Sequence, residues 1–339
     1  MKKFFIIAFV CVLGVSCTKS VYMFTGFHEP ANAGLRLLYS YDGYKWQDLD
    51  TVFLRPMVGD KIMRDPSIVQ GPDGLFHLVW TCAWKGNKGF GYASSKDLIH
   101  WSEERVIGVM KNEPTTVNVW APEIFYDDVE KQFIIIWAST IPFRFPKGIE
   151  DEDNNHRMYF TTTKDFKTFS DTKLFYDPGF SVIDCQILKR EKKDYVLILK
   201  DNTRPNRNIK VAFGKSPLGP YEKPSEAFTP SYTEGPAVEK VGDEYLIYFD
   251  QYKDKIYGAV KTKDFKTFTN ITKEISVPEG HKHGTIFKVN KKVLNKLLKF
   301  SSAFQNARVG GDTNPGGIPW AVSPPPTFNT TMRSPNSRI

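Results

Sequence analysis

TKDFKTF occupies residues 163–169, and the same seven letters return at 262–268. A run this specific does not recur by chance within one chain, so it raises the question of what unit is repeated. Looser copies stand at 94–103 (SSKDLIHWSE), 39–48 (YSYDGYKWQD) and 214–223 (GKSPLGPYEK). Each copy ends a short strand in Ser, Thr or Lys, turns at Asp or Pro, and leads through an aromatic residue into a new strand. An Asp at such a turn caps its own backbone, and the aromatic packs beneath the hairpin. Five copies imply five similar units.

Reading backward from each hairpin gives the rest of the unit. PSIVQ, LFHLVWT and GFGYA precede the copy at 94–103; EIFYD, QFIIIWAS and RMYFT precede the copy at 163–169. CQILK, DYVLILK and NIKVAFG lead to the next copy, and AVEKV, EYLIYFD and IYGAVK to the last. These are short β-branched and aromatic strands separated by Gly, Asp or Lys turns, four to a unit. Four antiparallel strands repeated in a ring predict an all-β fold, a five-bladed β-propeller. The fifth blade is split: GTIFKV at 284–289 offers an inner strand alone, while VYMFTGF, LRLLYSY and KWQDL near the start have no inner strand before them. Joining the two ends closes the ring and leaves KKVLNKLLKF as a short terminal helix. A β-sandwich would use similar strands but explains neither the repeated hairpin nor the complementary leftovers.

The first residues, MKKFFIIAFVCVLGVSC, pair two lysines with an apolar run too short to span a bilayer and small residues before Cys17. That is a secretory signal over residues 1–17. LGVSC resembles the lipobox of bacterial lipoproteins, which implies lipidation of Cys17, anchoring at the cell envelope, and contact with the membrane through that lipid alone. The alternative is an ordinary secreted protein. Only Cys82 and Cys185 remain in the folded part, and both are expected as buried free thiols. From about Ser301 to 339 the periodicity is lost and Pro, Gly, Asn and Ser dominate, so this tail is expected to be disordered or foreign to the fold.

The formal charge of +8 roughly halves once signal and tail are set aside. The remaining lysines scatter through turns, with no basic helix, zinc spacing or aromatic ladder, so nucleic acid is not an expected partner.

Propeller inner strands lie side by side around a channel, and their first residues face one mouth. Those positions read RDP with Asp65, WAPE with Glu123, VIDC with Asp184, TEGP with Glu234 and HKHG with His283. Crowded carboxylates cost free energy and raise some of their pKa values, which proteins tolerate where chemistry needs it. Two carboxyl groups across a cleft suit hydrolysis of a glycosidic bond, one donating a proton and the other activating water or attacking the sugar.

RDPSIV, VIDCQI, TEGPAV and KHGTIF, in that order, resemble the family 43 glycoside hydrolases, which include α-L-arabinofuranosidases, β-xylosidases and arabinanases. The resemblance covers about residues 22–298. It implies that Asp65 is the general base, Glu234 the general acid and Asp184 the carboxylate that orients the acid and raises its pKa. It also implies inversion at the anomeric carbon, with room for a water between Asp65 and Glu234. One departure is visible: Asp184 is followed by Cys185 where the family usually has Pro, which keeps the charge. WAPE resembles the WAPD that opens the second blade, and Glu123 is expected at substrate or channel contacts. His283 matches a histidine near the channel axis that in several relatives sits by a bound calcium or a water cluster. The resemblance thus offers His283 as a metal neighbour, but calcium wants six to eight oxygen ligands and no compact acidic loop in the sequence supplies them. No cofactor is expected to be required.

Loops between second and third strands open on the same mouth. They bring Phe27, His28 and Glu29, Trp84, the long IPFRFPKGIEDEDNNH, Arg204 and Arg207, and Asp250 with Gln251. Phe27, His28, Trp84, Trp120, Glu123, Arg204, Arg207, Asp250 and His283 are the nine candidate sugar contacts, of which about half are expected to touch ligand. The insertion at 141–156 would wall off one side, favouring removal of single terminal sugars. The expectation is an exo-acting, inverting α-L-arabinofuranosidase, working as a monomer on oligosaccharide or polysaccharide side chains. β-Xylosidase or galactosidase action is the near alternative; a noncatalytic glycan-binding propeller would be expected to have lost Asp65, Asp184 or Glu234, and all three are present.

Overall fold

The computed structural model describes residues 20–309; Cys17 with the signal segment, and the chain from 310 onward, lie outside the described residues. The first three strands, β1 (Ser20–Gly26), β2 (Leu35–Ser40) and β3 (Gln47–Leu54), have no inner strand of their own. Two complete blades follow: β4 (Arg64–Gln70), β5 (Phe76–Thr81), β6 (Gly89–Ser95) and β7 (Arg105–Gly108), then β8 (Trp120–Asp127), β9 (Gln132–Ser139), β10 (Arg157–Thr163) and β11 (Lys173–Tyr176). The next blade has three regular strands, β12 (Val182–Glu191), β13 (Asp194–Asp201) and β14 (Asn208–Gly214), edged by an irregular segment that bonds back to β14 through Glu222, Ser225 and Phe228. A further blade comprises β15 (Thr233–Val241), β16 (Glu244–Gln251), β17 (Ile256–Thr262) and β18 (Thr269–Asn270). Finally β19 (Ile286–Asn290) pairs with β1, Val21 opposite Val289, and completes the fifth blade in the order β19-β1-β2-β3. The ring is a five-bladed β-propeller closed by its two ends, as the leftover strands predict.

The second strand of each blade reads as a nearly unbroken apolar run because neighbouring blades cover both of its faces. β13 shows the division of labour: Leu197 and Leu199 pack with Ile134 and Ile136 of β9 on one side, Val196 and Ile198 with Ile247 and Phe249 of β16 on the other. Each such side chain, once fully buried, contributes roughly 1.5–3 kcal/mol.

The repeated hairpins have one geometry. Asp165 Oδ1 accepts the N–H groups of Lys167 and Thr168 at 2.8 and 2.9 Å, and Asp264 accepts those of Lys266 and Thr267 at the same distances. Thr163 and Thr262 each accept the N–H of the following phenylalanine at 2.9 Å. Phe166 and Phe265 adopt left-handed φ of 55° and 61° and are buried beneath the turn. The same arrangement recurs with Ser95, Asp97 and Leu98, and with Ser40, Asp42 and Gly43. The heptapeptide is therefore spelled twice because its Thr, Asp and Phe each perform a fixed task.

The tail boundary drawn at 301 is too early. Helix α1 (Lys291–Val309) runs through it. Asn290 caps the helix by accepting the Val293 N–H at 3.0 Å, and Leu294 and Leu297 are fully buried. Ser301 falls on that same face at helical spacing, is buried, and lies 2.8 Å from Thr51 Oγ1. A serine there satisfies a polar contact that an apolar periodicity cannot reveal.

Candidate active site

Four inner strands break register with their neighbours at the same place: between Arg64 and Ser67, Trp120 and Glu123, Ile183 and Gln186, and Glu234 and Ala237. Each bulge holds a residue with left-handed φ, namely Asp65 (51°), Ala121 (45°), Asp184 (50°) and Gly235 (57°). Such a bulge re-aims a side chain at the strand end, here toward the channel mouth. Gly235 is required on two counts, its φ and a Cβ position only 2.0 Å from the His283 ring. Asp65 and Asp184 thus enter the mouth from the bulge itself, and Glu234 from the residue before it. Glu123 comes two residues after its bulge and sits a layer deeper.

Asp65 accepts hydrogen bonds from Thr81 Oγ1 at 2.7 Å and pairs with His283 Nε2 at 2.9 Å. Burial opposes its ionisation, but His283 and the charge of Arg64 outweigh that and hold the carboxyl below its usual range. His283 is buried too, yet the carboxylates of Asp250 and Asp65 on either side of its ring push its pKa well above the usual imidazole value. Asp250 lies 3.6 Å from Nδ1 and 2.9 Å from Lys282 Nζ. The result is an ionised Asp65 held in place by an imidazolium.

On the other side, Lys200 Nζ lies 2.9 Å from Glu234 Oε2 and is buried. Burial raises the Glu234 pKa, but Lys200 and His283 outweigh it and the group sits below its usual range. For Asp184 burial wins, reinforced by the charges of Glu234 and Asp65 against Lys200 and His283, so it takes a proton more readily than an ordinary aspartate. It also accepts the Gly235 N–H at 3.1 Å. Beneath this layer Glu123 accepts a hydrogen bond from Ser67 Oγ at 2.5 Å, near Gln186 and Thr285, and burial pushes its pKa up to about 7.

The pocket above has a volume of about 230 Å³. Besides Asp65, Asp184 and Glu234, four of the nine expected sugar contacts line it: Trp84, Trp120, Arg207 and His283. The indoles pack at a 36° tilt with centroids 4.7 Å apart, and Trp120 Nε1 donates to the Trp84 carbonyl at 2.6 Å. Arg207 Nε is buried without a partner among the described residues. The other five lie elsewhere. Phe27 is buried below Arg64, whose guanidinium stands 4.9 Å from its ring, and His28 packs away from the pocket near Gly280. Arg204 is held by Glu150 and Asp151, so it ties its loop to the insertion. Asp250 stands behind His283, and Glu123 lines a smaller chamber of about 30 Å³ that shares Asp65, Asp184 and His283 with the pocket. Lys200, Thr81, Asn202 and Tyr252 line the pocket unforeseen. Lys200, at the end of β13, pairs with Ile183 beside Asp184, so the register of the second strand could have found it.

Glu234, Asp250 and His283 bring donor atoms within 4.8 Å of one another. Glu234 and Asp250 are each already paired with a lysine, and both His283 nitrogens face carboxylates. This set does not fit calcium, which wants six to eight oxygens.

Residues 19–295 match the model of a family described as a probable glycosyl hydrolase domain, related to family 43. The chain belongs to this family. An α-L-arabinofuranosidase of Bifidobacterium longum subsp. longum is 25% identical over 148 residues, which cover 38% of this chain and 14% of that protein. The chain thus spans a small part of that relative's length. Among solved structures, an α-L-arabinanase of Cellvibrio cellulosa complexed with arabinohexaose aligns with a TM-score of 0.54 at 15% identity, covering 76% of this chain and 95% of that one. An α-L-arabinofuranosidase from Lactobacillus brevis aligns at 0.49 and 20% identity, over 61% and 72%. The arabinanase alignment agrees with the propeller fold, and the glycosyl hydrolase family agrees with the carboxylates at its mouth.

Proposed function

We propose that this glycosyl hydrolase is an exo-acting, inverting α-L-arabinofuranosidase. One observation carries the reading: Asp65, Asp184 and Glu234 line a single pocket, with Asp65 held ionised by His283. In the reaction Asp65 removes a proton from a water that attacks the anomeric carbon, while Glu234 protonates the departing oxygen. Asp184 makes full ionisation of the neighbouring pair costly and so keeps a proton available beside the leaving group. The sequence relative named α-L-arabinofuranosidase favours arabinofuranose over xylose or galactose as the sugar.

Exo action is supported by the pocket's size and wall. Its volume, about 230 Å³, is below the roughly 300 Å³ lower bound usual for drug-sized ligands, which suits a single sugar residue. Asn154 of the 141–156 insertion lines it, and the buried Glu150 fixes that insertion to Arg204. Hydrolysis of aryl α-L-arabinofuranoside, β-D-xyloside and β-D-galactoside, with Asp65→Asn as control, tests the assignment. Release from the arabinofuranoside, lost in the variant, supports it; equal action on the variant removes it, and release from only another glycoside reassigns the sugar.

Lipidation of Cys17 belongs to the same proposal. Inner strands run from the pocket mouth to the opposite face, so β1, antiparallel to β19, starts on that opposite face at Ser20, three residues after Cys17. An anchored enzyme would present its pocket away from the membrane.

A further inference from the structure

Lys200 is the least expected member of the site. An ammonium buried to 2% exposure is costly unless paired, and its partner here is the carboxylate assigned as the acid. A general acid must hold a proton before the bond breaks. A cation 2.9 Å from Glu234 Oε2 favours the form without that proton.

The groups facing Lys200 come from four elements. Glu234 on β15 takes its hydrogen bond, and Asp184 on β12 supplies a second negative charge. Tyr252, following β16, turns its ring face toward Nζ at 5.2 Å. His156, at the end of the long insertion, is buried and held neutral, its pKa lowered to about 3 chiefly by burial. His283 and Asp250 act on Glu234 from behind, with opposite signs. Of these, Lys200 is the only cation in hydrogen-bond contact with Glu234 among the described residues.

We propose that Lys200 is a positioning residue that fixes the Glu234 carboxylate and sets the pH at which it can act as an acid. The inference rests on the reading of Glu234 as the proton donor. With Lys200 in place, Glu234 loses its proton at lower pH than an ordinary glutamate, so the alkaline limb of kcat/KM is displaced toward acid. Without the charge, two buried carboxyl groups face each other with no cation between them, and the pair keeps a proton to higher pH.

The test is the pH profile of kcat/KM on a substrate with a poor leaving group, for the full chain and three variants. Lys200→Met and Lys200→Gln should move the alkaline limb upward by at least about one unit, roughly a tenfold change along that limb. Lys200→Arg, which keeps the charge, should leave the limb near its original position. Gln and Met separate charge from packing, so loss of folding in one leaves the other decisive. A uniform fall in activity with the limb unmoved in both neutral variants overturns the inference and makes Lys200 a substrate or packing contact. A wild-type protein that cleaves no glycoside sinks the underlying reading instead, and the two failures are distinct.

Discussion

Asp65 and Glu234 are both acids in one pocket, yet their surroundings assign them opposite duties. Replacing Glu234 by Gln removes the proton donor, and activity on an alkyl or sugar leaving group should fall about 10²–10⁴-fold. On an activated aryl glycoside, which needs no proton to depart, the loss should be far smaller; equal loss on both would remove the acid assignment. Glu123 supports a second prediction at this scale. Its pKa is raised to about 7 by burial, against Ser67, Gln186 and Thr285, so the folded protein binds a proton there that the unfolded chain releases near pH 4.5. Between those values the stability it contributes falls as pH rises, by a few kcal/mol at most. Glu123→Gln should therefore match the wild type in urea melts at pH 5 and exceed it at pH 8. A constant difference at both pH values would show that Glu123 does not titrate in this window.

At the scale of the element, the hairpins and bulges explain what could and could not be read from the chain. The repeated TKDFKTF gave away the blades because each of its capping residues is chemically specific. The bulges were harder to see. Asp65, Ala121, Asp184 and Gly235 are equivalent, and a proline follows three of them, Pro66, Pro122 and Pro236. Aligning the prolines puts Glu123 after its bulge and Asp65 within its own, so the two carboxylates cannot share a layer. Matching acid to acid hid this. Arg204 departs from expectation for another reason: in sequence a loop arginine looks the same whether it faces sugar or a neighbouring loop's Glu150. The hairpin account has its own test. Asp264→Ala removes acceptors for two backbone N–H groups and should cost about 0.5–2 kcal/mol, a shift of a few degrees in Tm, with activity unchanged. Loss of activity at full stability would mean the turn acts on the site in some other way.

On the scale of the whole molecule, closure and orientation follow from one strand. Because β19 supplies the inner strand of the blade that β1–β3 begin, the two ends of the fold hold each other, and Thr25 joins them again by accepting the Thr285 N–H at 2.8 Å. The same pairing puts Ser20 opposite Asn290, on the face away from the pocket. That face also carries Lys96, Lys164, Lys215 and Lys263 in the turns between third and fourth strands, all exposed. For the lipidated full chain on phosphatidylglycerol vesicles, a fluorophore placed by Lys164→Cys should be quenched by a headgroup-level quencher. One placed by Phe143→Cys, in the pocket-side insertion, should not. Equal quenching at both positions, or a chain that stays off the vesicles, would contradict the anchored orientation.

The central claim is direct displacement by water at the anomeric carbon of an arabinofuranoside, with Asp65 as base. The most direct measurement is proton NMR of the first minutes of hydrolysis of p-nitrophenyl α-L-arabinofuranoside, before the released sugar mutarotates. The account predicts that β-L-arabinofuranose appears first and the α-anomer only later, and that Asp65→Asn yields neither at a comparable rate. An α-anomer formed first would mean a covalent intermediate and retention, and would contradict the roles given to Asp65 and Glu234.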